Sequence, residues 1–265
     1  MTGAVPDALE RFGAAYAAHR AAEGRAHTGA ALRSLPYLAP GPLARQWAVR
    51  ARSFEALVER VVLPLADRAG RPLDTLDLGA GNGWLSYRLA RQGHRCTAID
   101  IRRDEVDGLG AARELQRECP FDSVAASFEA LPLPGGVADL AVFNASLHYA
   151  TRLDTALVEA ARCLRPGGVI AVVDSPFYRS AADGEAMVRE KRQSAGARFG
   201  ERAPSLTSLE TIEYLTRARL EQALPLAWHR HRVRYPAWYE WRPLAAWLAG
   251  KRRPSRFDIW TTEVP

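Results

Sequence analysis

The residues best suited to chemistry lie in one short turn, Leu76-Asp77-Leu78-Gly79-Ala80-Gly81-Asn82-Gly83. Three glycines at alternate positions follow an apolar run, and residues 84–92 are typical of a helix. Glycine tolerates positive φ and has no Cβ, so a ligand can lie directly against the backbone, facing the free N–H groups of the helix start. The pattern predicts a strand, a nucleotide-binding turn and a helix.

The spacing of the glycines separates two kinds of nucleotide site. Dinucleotide enzymes use G-x-G-x-x-G. Here the spacing is G-x-G-x-G, and Trp84 stands where the last glycine of that pattern would fall. A second carboxylate, Asp100, ends the strand-like residues 94–99, about 20 residues past the glycines, where it could accept the two hydroxyls of a ribose. The alternative is a surface aspartate that ends a strand.

Two later segments complete a recognisable set. An apolar run over residues 137–143 ends at Asn144, and Leu164-Arg165-Pro166-Gly167-Gly168 closes a predicted helix before a strand. Together with the Leu-Asp-Leu-Gly-x-Gly-x-Gly turn and the Ile-Asp pair, this resembles the class I S-adenosylmethionine-dependent methyltransferases. The resemblance is close over residues 75–174 and looser elsewhere. It implies S-adenosyl-L-methionine as methyl donor, S-adenosyl-L-homocysteine as product, and no metal.

Alternating strand and helix signals predict an α/β fold with a doubly wound, Rossmann-like sheet of seven strands. The resemblance implies that the sheet is mostly parallel with an antiparallel last strand. We expect strands at residues 73–78, 95–100, 123–126, 138–143, 169–174, 228–235 and 256–262. We expect helices at 7–24 (with Leu9, Phe12, Tyr16 and His19 at helical spacing), from 43 to a disturbance at Pro64, and at 85–92, 104–118, 153–164, 208–224 and 243–249.

Two regions fall outside the sheet-forming pattern. We expect an N-terminal helical lid at residues 1–42 and a methyltransferase domain at 43–265, with 177–225 as a substrate-lid insertion. In an open α/β sheet, ligands bind beyond the carboxyl ends of the strands, and both regions could fold over that edge.

The resemblance places the donor on the glycine turn and the strand ends. Asp77 could meet the amino group of the methionine tail, or it could merely cap the glycine loop. Ile101 could offer an apolar face to the adenine. Ser127 and Phe128 stand where relatives commonly carry an acidic residue, and could pair with adenine instead. The predicted donor-site residues are Asp77, Gly79, Ala80, Gly81, Asn82, Gly83, Asp100, Ile101, Ser127, Phe128 and Asn144.

The segment Asn144-Ala145-Ser146-Leu147-His148-Tyr149 should pass near the methyl group. His148 could act as general base, since imidazole titrates near neutral pH, or could be a structural histidine. Methyl transfer is an in-line displacement that depends chiefly on holding donor and acceptor collinear and excluding water. The predicted acceptor-side residues are Tyr37, His148, Tyr149 and Tyr178.

One further segment, Asp174-Ser175-Pro176-Phe177-Tyr178, is similar to the Asn-Pro-Pro-Tyr signature of amino-group methylation. It follows the fifth predicted strand rather than the fourth, so we assign it no part in methyl transfer beyond Tyr178.

Composition limits the partners. A hydrophobic content of 48% and a charged content of 25% are ordinary for a globular protein. We find neither a signal peptide nor an apolar stretch of membrane-spanning length, so we expect a cytoplasmic protein without a membrane partner. The three cysteines form no C-x-x-C pair, which favours small buried residues over metal ligands or disulfides. Nothing indicates the oligomeric state.

The net charge of +6 is concentrated late in the chain, where arginines interleave with tryptophans and tyrosines. Such a pattern occurs in platforms for single-stranded nucleic acid, but a solvated strand face and core packing are the simpler interpretation. Nucleic acid is therefore not an expected partner.

The sequence thus predicts an S-adenosylmethionine-dependent methyltransferase (EC 2.1.1.-) that methylates an O, N or C nucleophile of a small molecule. One alternative is a methyltransferase acting on RNA or protein, supported by the basic C-terminal third. Another is a non-catalytic module that binds the donor. A nicotinamide dehydrogenase is disfavoured by Trp84 and by the Leu-Arg-Pro-Gly-Gly turn.

Overall fold

A computed structural model describes residues 13–18, 22–24, 26–38, 40–200, 204 and 210–265. Of the helix expected at 7–24, residues 13–18 are helical, whereas Leu9, Phe12 and His19 lie outside the described residues.

The described chain builds one seven-stranded sheet in the order β3-β2-β1-β4-β5-β7-β6. Strands β1 to β5 run parallel, and β7 is antiparallel to both β5 and β6. The predicted Rossmann-like α/β fold with an antiparallel last strand is confirmed. The strands are β1 Asp74–Leu78, β2 Arg95–Asp100, β3 Asp122–Ala125, β4 Ala138–Asn144, β5 Leu164–Val173, β6 His229–His231 and β7 Ile259–Glu263.

Helices cover both faces of the sheet. None of those described combines the length and apolar composition needed to cross a membrane. They are α1 Gly29–Ser34, α2 Ala44–Leu57, α3 Leu63–Ala69, α4 Trp84–Ala90, α5 Leu109–Gln116, α6 Leu153–Cys163, α7 Ala181–Gln193, α8 Ala195–Phe199, α9 Arg217–Ala223, α10 Ala237–Glu240 and α11 Arg242–Leu248.

The helix from residue 44 continues past Pro64 instead of ending there. A π-helical segment, Val58–Val62, joins α2 to α3, and Pro64 falls in the first turn of α3. Proline has no N–H to donate and its ring crowds the carbonyl four residues earlier, so a wider turn just before it relieves both conflicts.

Each face of the sheet carries its own hydrophobic core. In β4, Leu140 and Val142 belong to one core and Ala141 and Phe143 to the other, because alternate residues of a strand point to opposite faces. The first core packs β2, β4 and β5 against α2, α4 and α5, and the second packs β1, β4 and β5 against α6 and α9. A parallel sheet covered in this way presents its functional groups at the strand ends.

The N-terminal segment 26–38 packs onto the first core. Leu32 and Leu35 are buried in it, and the Arg33 guanidinium lies 2.6 Å from the Glu114 carboxylate on α5. The Arg88 guanidinium donates to the carbonyls of residues 33, 34 and 35. Part of the predicted lid is therefore anchored to the sheet domain, and its action as a lid stays a prediction.

The helix expected at 104–118 begins only at Leu109. The Asp104 carboxylate accepts the backbone N–H groups of Val106 (3.1 Å) and Asp107 (2.9 Å). Such a local turn competes with helix formation, which explains the late start.

Of the helix expected at 208–224, residues 208 and 209 lie outside the described residues. The prediction is wrong over 210–216, since among the described residues of this range only Arg217–Ala223 is helical. The preceding backbone bonds to distant loops: Ile212 N–H donates to Ala150 O (2.9 Å), Glu213 N–H to His148 O (3.0 Å) and Leu215 N–H to Pro176 O (3.0 Å). These long-range bonds override the local helical preference.

The late aromatics divide into two groups. Trp228 and Trp260 are buried, as the core-packing interpretation expects. Trp241 and Trp247 are 63% and 73% exposed on and beside α11, so that interpretation does not hold for them.

The turn after β1 generates a stability prediction. Gly79 has φ +78°, and an added Cβ would lie 2.3 Å from the Cβ of Ser146 in the loop after β4. At Gly136 (φ +66°) nothing lies within 4 Å of an added Cβ. We expect Gly136→Ala to cost about 1–2 kcal/mol from backbone strain, and Gly79→Ala about 1–3 kcal/mol more from overpacking. Equal losses in denaturant unfolding would show that the close contact is unimportant.

Candidate functional site

A cavity of about 570 Å³ opens at the carboxyl ends of β1, β2, β4 and β5. This is the switch point of the sheet, where the strand order reverses between β1 and β4 and where open α/β sheets bind ligands. Its volume lies in the range of small-molecule pockets. The predicted site residues on its wall are Gly79, Ala80, Gly81, Asn82, Asp100, Ile101, Ser127, Phe128, Asn144, His148 and Tyr149.

The glycine turn is shaped by close neighbours. All three glycines have positive φ, as predicted for the turn. Ser146 packs directly against Gly79, and its Oγ–H donates to the Leu78 carbonyl at 2.5 Å. Gly83 does not line the cavity; a Cβ there would lie 3.0 Å from Phe121 and 3.1 Å from Ala112. Gly83 therefore serves the packing of α4 on α5.

Asp100 ties the glycine turn to the end of β2. One carboxylate oxygen accepts the Gly81 N–H and the other accepts the Arg102 N–H, both at 2.8 Å. Burial raises the pKa of this carboxyl, and these two backbone hydrogen bonds oppose the rise. A carboxylate oxygen has a second lone pair, so Asp100 can hold the turn and still accept hydroxyl groups from a ligand on the cavity side.

Asp77 lies behind the turn and does not reach the cavity wall. It is 1% exposed, and one carboxylate oxygen accepts both the Oγ–H (2.9 Å) and the N–H (3.3 Å) of Ser86 in the first turns of α4. Burial raises its pKa to about 7. The carboxylate thus supports the start of α4, and its hydrogen bonds go to Ser86 rather than to the glycine loop.

Ser127 and Phe128 form the wall beyond β3. The Phe128 ring packs edge-on against Phe143, with 5.5 Å between centroids. The following Glu129 accepts the N–H groups of Thr151 (2.5 Å) and Arg152 (3.3 Å), just before α6 begins. Glu129 therefore joins this wall to the loop after β4.

His148 lies on the wall and remains partly exposed. Its Nδ1 is 3.5 Å from the Ser175 Oγ, and its ring centroid is 4.3 Å from that of Tyr149. Burial, with smaller contributions from Lys191 and Arg50, lowers its pKa to about 3. The imidazole is therefore neutral at neutral pH and a weak base.

Two predicted acceptor residues do not reach the cavity wall. Tyr37 is 47% exposed and lies beneath the Arg88 guanidinium, 5.3 Å from its ring centroid. Tyr178 is buried against Tyr214 and Arg252. Both side chains therefore pack against other residues instead of lining the cavity.

Helix α2 contributes wall residues that the sequence analysis missed. Gln46, Trp47 and Arg50 line the cavity, with the Arg50 guanidinium 5.1 Å from the Trp47 ring centroid. Arg50 shares the apolar helix face of Trp47 and Phe54, at spacings of three and four residues. A charged residue on an otherwise apolar helix face was the sequence signal that could have identified Arg50 as a candidate site residue.

Asp174 is another wall residue that the sequence analysis missed. It directly follows β5 at φ +50° and is 7% exposed. Oδ1 accepts the Ser53 Oγ–H at 2.5 Å, and Oδ2 has no hydrogen-bond partner in the described part of the chain. Burial raises the pKa of this carboxyl, opposed by Arg50 and by the Ser53 hydrogen bond. The sequence analysis assigns its segment, 174–178, no part in methyl transfer beyond Tyr178, because the segment follows the fifth strand.

The described residues contain no group of three or more His, Cys, Asp or Glu side chains placed to hold a metal ion. Cys96, Cys119 and Cys163 are all described, and each is a free thiol.

The lowered pKa of His148 predicts that its imidazole stays neutral from pH 8 to pH 5. The Cε1–H resonance, assigned by comparison with His148→Gln, should show no titration in that interval. Because the folded-state pKa lies below that of the unfolded chain, protonation below about pH 6.5 should favour unfolding. A midpoint near 6.5 in the folded protein would contradict the assignment.

The raised pKa of Asp174 predicts a stability gain on its removal. Burying the ionised Asp174 carboxylate lowers the free energy of unfolding. This loss begins as the pH rises above the pKa of Asp174 in the unfolded chain and is complete above its pKa in the folded protein. Asp174→Asn should therefore be more stable than the parent at pH 8, by a margin that shrinks on acidification. Asp258→Asn is the control and should be less stable, since Asp258 accepts hydrogen bonds from Arg230 and Val233. A destabilised Asp174→Asn at pH 8 would contradict the interpretation.

Comparison with known proteins bears on the family. Residues 76–172 match a family model described as a methyltransferase domain. An uncharacterized methyltransferase of Mycobacterium bovis is 33% identical over 120 residues, covering 45% of this chain and 56% of that protein. A malonyl-[acyl-carrier protein] O-methyltransferase of Geobacter sulfurreducens is 30% identical over 183 residues, covering 60% and 66%. The match thus spans somewhat over half the length of these relatives.

Solved structures agree on the fold. YcgJ from Bacillus subtilis has a TM-score of 0.53 at 15% identity, covering 73% of this chain and 92% of its own. The [4+2]-cyclase SpnF has a TM-score of 0.54 at 22% identity, covering 83% and 82%. A cyclase with this architecture means that the fold alone does not decide the reaction. On its sheet order, its glycine turn and the family match over residues 76–172, the domain belongs to the class I S-adenosylmethionine-dependent methyltransferases.

Proposed function

We propose that the chain binds S-adenosylmethionine in the cavity at the switch point and transfers its methyl group to a small-molecule acceptor. The observation that carries the proposal is the pairing of Asp100 with Gly81 on the cavity wall at 2.8 Å. This pairing holds a cavity-facing carboxylate against a turn whose glycines allow close backbone approach.

The residues on the wall fit the donor. Asp100 would accept the ribose hydroxyls, and the partly exposed Ile101 and the Phe128 ring would flank the adenine. Ala80, Asn82 and the first two glycines would lie along the methionine tail. Asn144 lies on the same wall at the end of β4, and its buried Oδ1 has no partner among the described residues, so it could accept a hydrogen bond from either reactant.

The proposed reaction is in-line displacement, with the sulfonium supplying an activated methyl carbon. The chain would orient the two reactants and exclude water, and such positioning can supply much of the rate. The cavity volume supports a small acceptor beside the donor. Trp47 and Arg50 on α2, with Asp174 and Pro176 after β5, would form the acceptor end.

We also propose that the N-terminal segment and the insertion act as lids. Tyr16 and Thr211 both line the cavity, and the Tyr16 hydroxyl lies 3.2 Å from that of Tyr149. Residues 212 and 213 are hydrogen-bonded to the loop after β4. Each segment thus contacts the side of the cavity where an acceptor would enter.

The donor assignment is tested by thermal unfolding. S-adenosylmethionine and S-adenosylhomocysteine, each at about 100 times its Kd, should stabilise the protein by about 2.7 kcal/mol, or roughly 5–10 °C in Tm. Asp100→Ala should abolish the shift, because it removes the acceptor of the ribose hydroxyls.

Asp122→Ala is the matched control and should keep the shift, since Asp122 is an exposed carboxylate at the start of β3. Absence of a shift in the unmodified protein with either compound would rule out the proposed function.

A further inference from the structure

At the ends of the adjacent strands β4 and β5, two residues of the cavity wall each carry an oxygen atom without a hydrogen-bond donor among the described residues. Asn144 ends β4 and pairs in register with Val173, the residue before Asp174. Asn144 Oδ1 and Asp174 Oδ2 are both buried without a partner in the described part of the chain, and both residues line the cavity. Buried acceptors are normally satisfied, so this pair calls for a ligand that brings hydrogen-bond donors.

The Asp174 carboxylate is held in place from the opposite side. Its Oδ1 accepts the Ser53 Oγ–H, the Ser53 Oγ lies 2.9 Å from the Tyr235 hydroxyl, and that hydroxyl lies 2.7 Å from the Phe257 carbonyl oxygen, to which it donates. Three elements, α2, β5 and the segment before α10, therefore fix the orientation of the carboxylate. The same contacts leave Oδ2 without a partner among the described residues.

The backbone also supports this placement. Asp174 has φ +50°, in the left-handed region that non-glycine residues seldom adopt. A backbone conformation of this kind persists where surrounding contacts determine it, and such positions are frequent at ligand sites. Here it occurs at the end of a buried strand, in a residue that lines the cavity.

The two candidate bases differ in their environment. His148 has a pKa lowered to about 3, which makes it a poor proton acceptor. Burial raises the pKa of the Asp174 carboxyl, which makes it the stronger base when ionised. This contrast supports the geometry, in which Asp174 belongs to the cavity wall and its Oδ2 has no partner among the described residues.

We propose that Asp174 binds the reacting group of the acceptor through an N–H or O–H hydrogen and takes that proton during methyl transfer. A lone pair of the nucleophile forms the bond to the methyl carbon, the S–C bond breaks with its electrons left on sulfur, and the proton moves to Asp174 Oδ2. Where the acceptor carries a second N–H or O–H hydrogen, Asn144 Oδ1 accepts it. The acceptor class is therefore an amine-, amide- or hydroxyl-bearing small molecule rather than a carboxylate. This inference rests on the proposed function.

The test uses matched fragments on the protein saturated with S-adenosylhomocysteine. Phenol and aniline carry the required hydrogen, anisole and N,N-dimethylaniline lack it, and benzoate represents an anionic acceptor. In saturation-transfer NMR titrations, phenol and aniline should bind at least three-fold more tightly than their methylated counterparts and than benzoate. Asp174→Ala and Asp174→Asn should each remove the preference.

Asp122→Asn is the control, since it makes the same carboxylate-to-amide change at an exposed residue outside the cavity wall and should leave the preference unchanged. The inference is overturned if no fragment binds the saturated protein, if benzoate binds most tightly, or if the preference survives in both Asp174 variants. Because Asp174→Asn preserves shape, it also covers the case in which Asp174→Ala does not fold. The Tm shift with S-adenosylhomocysteine separates the two proposals: its presence without a fragment preference rejects only the role of Asp174.

Discussion

The cavity depends on the contact between the turn after β1 and the loop after β4. The absence of a Cβ at Gly79 lets Ser146 cross at this point, and the Ser146 hydroxyl donates to the Leu78 carbonyl. This contact fixes the distance between the two strand ends that face each other across the switch point. The adjacent loop holds His148 and Tyr149 on the cavity wall.

Three aspartates lie near this contact, Asp77 and Asp174 buried and Asp100 partly buried, and their partners distinguish them. Asp77 accepts from Ser86 behind the turn, Asp100 accepts from two backbone N–H groups, and Asp174 accepts from Ser53. For each of them burial raises the pKa, since desolvation disfavours the charged form. Asp100 and Asp174 line the cavity, so a ligand can supply the hydrogen bonds that the protein leaves unmade. Stability is thus lower at the two positions where the proposed function needs a carboxylate.

The periphery of the domain assembles through long-range polar contacts. Residues 210–216 bond to the loop after β4 and to the end of β5, and Glu129 accepts from the residues before α6. Arg88 on α4 holds the N-terminal segment by three backbone carbonyls. Segments without regular secondary structure are thereby fixed around the cavity, which is how an acceptor pocket can be built outside the sheet.

The sequence by itself determined the parts governed by local rules. The alternation of strand and helix patterns predicted the order of the elements in the sheet. The glycine spacing, together with Asp100, predicted the donor side of the switch point, because neighbouring residues in the chain determine turn conformations and strand ends. The strand period of two also places Asp77 on the face opposite Leu76 and Leu78, but it cannot tell whether the carboxylate lies behind the turn or in the cavity. Only the tertiary structure decided that Asp77 supports α4, that Tyr37 and Tyr178 face elsewhere, and that Arg50 and Asp174 reach the wall. These outcomes depend on the directions of side chains from elements far apart in the chain, and no local pattern records those directions.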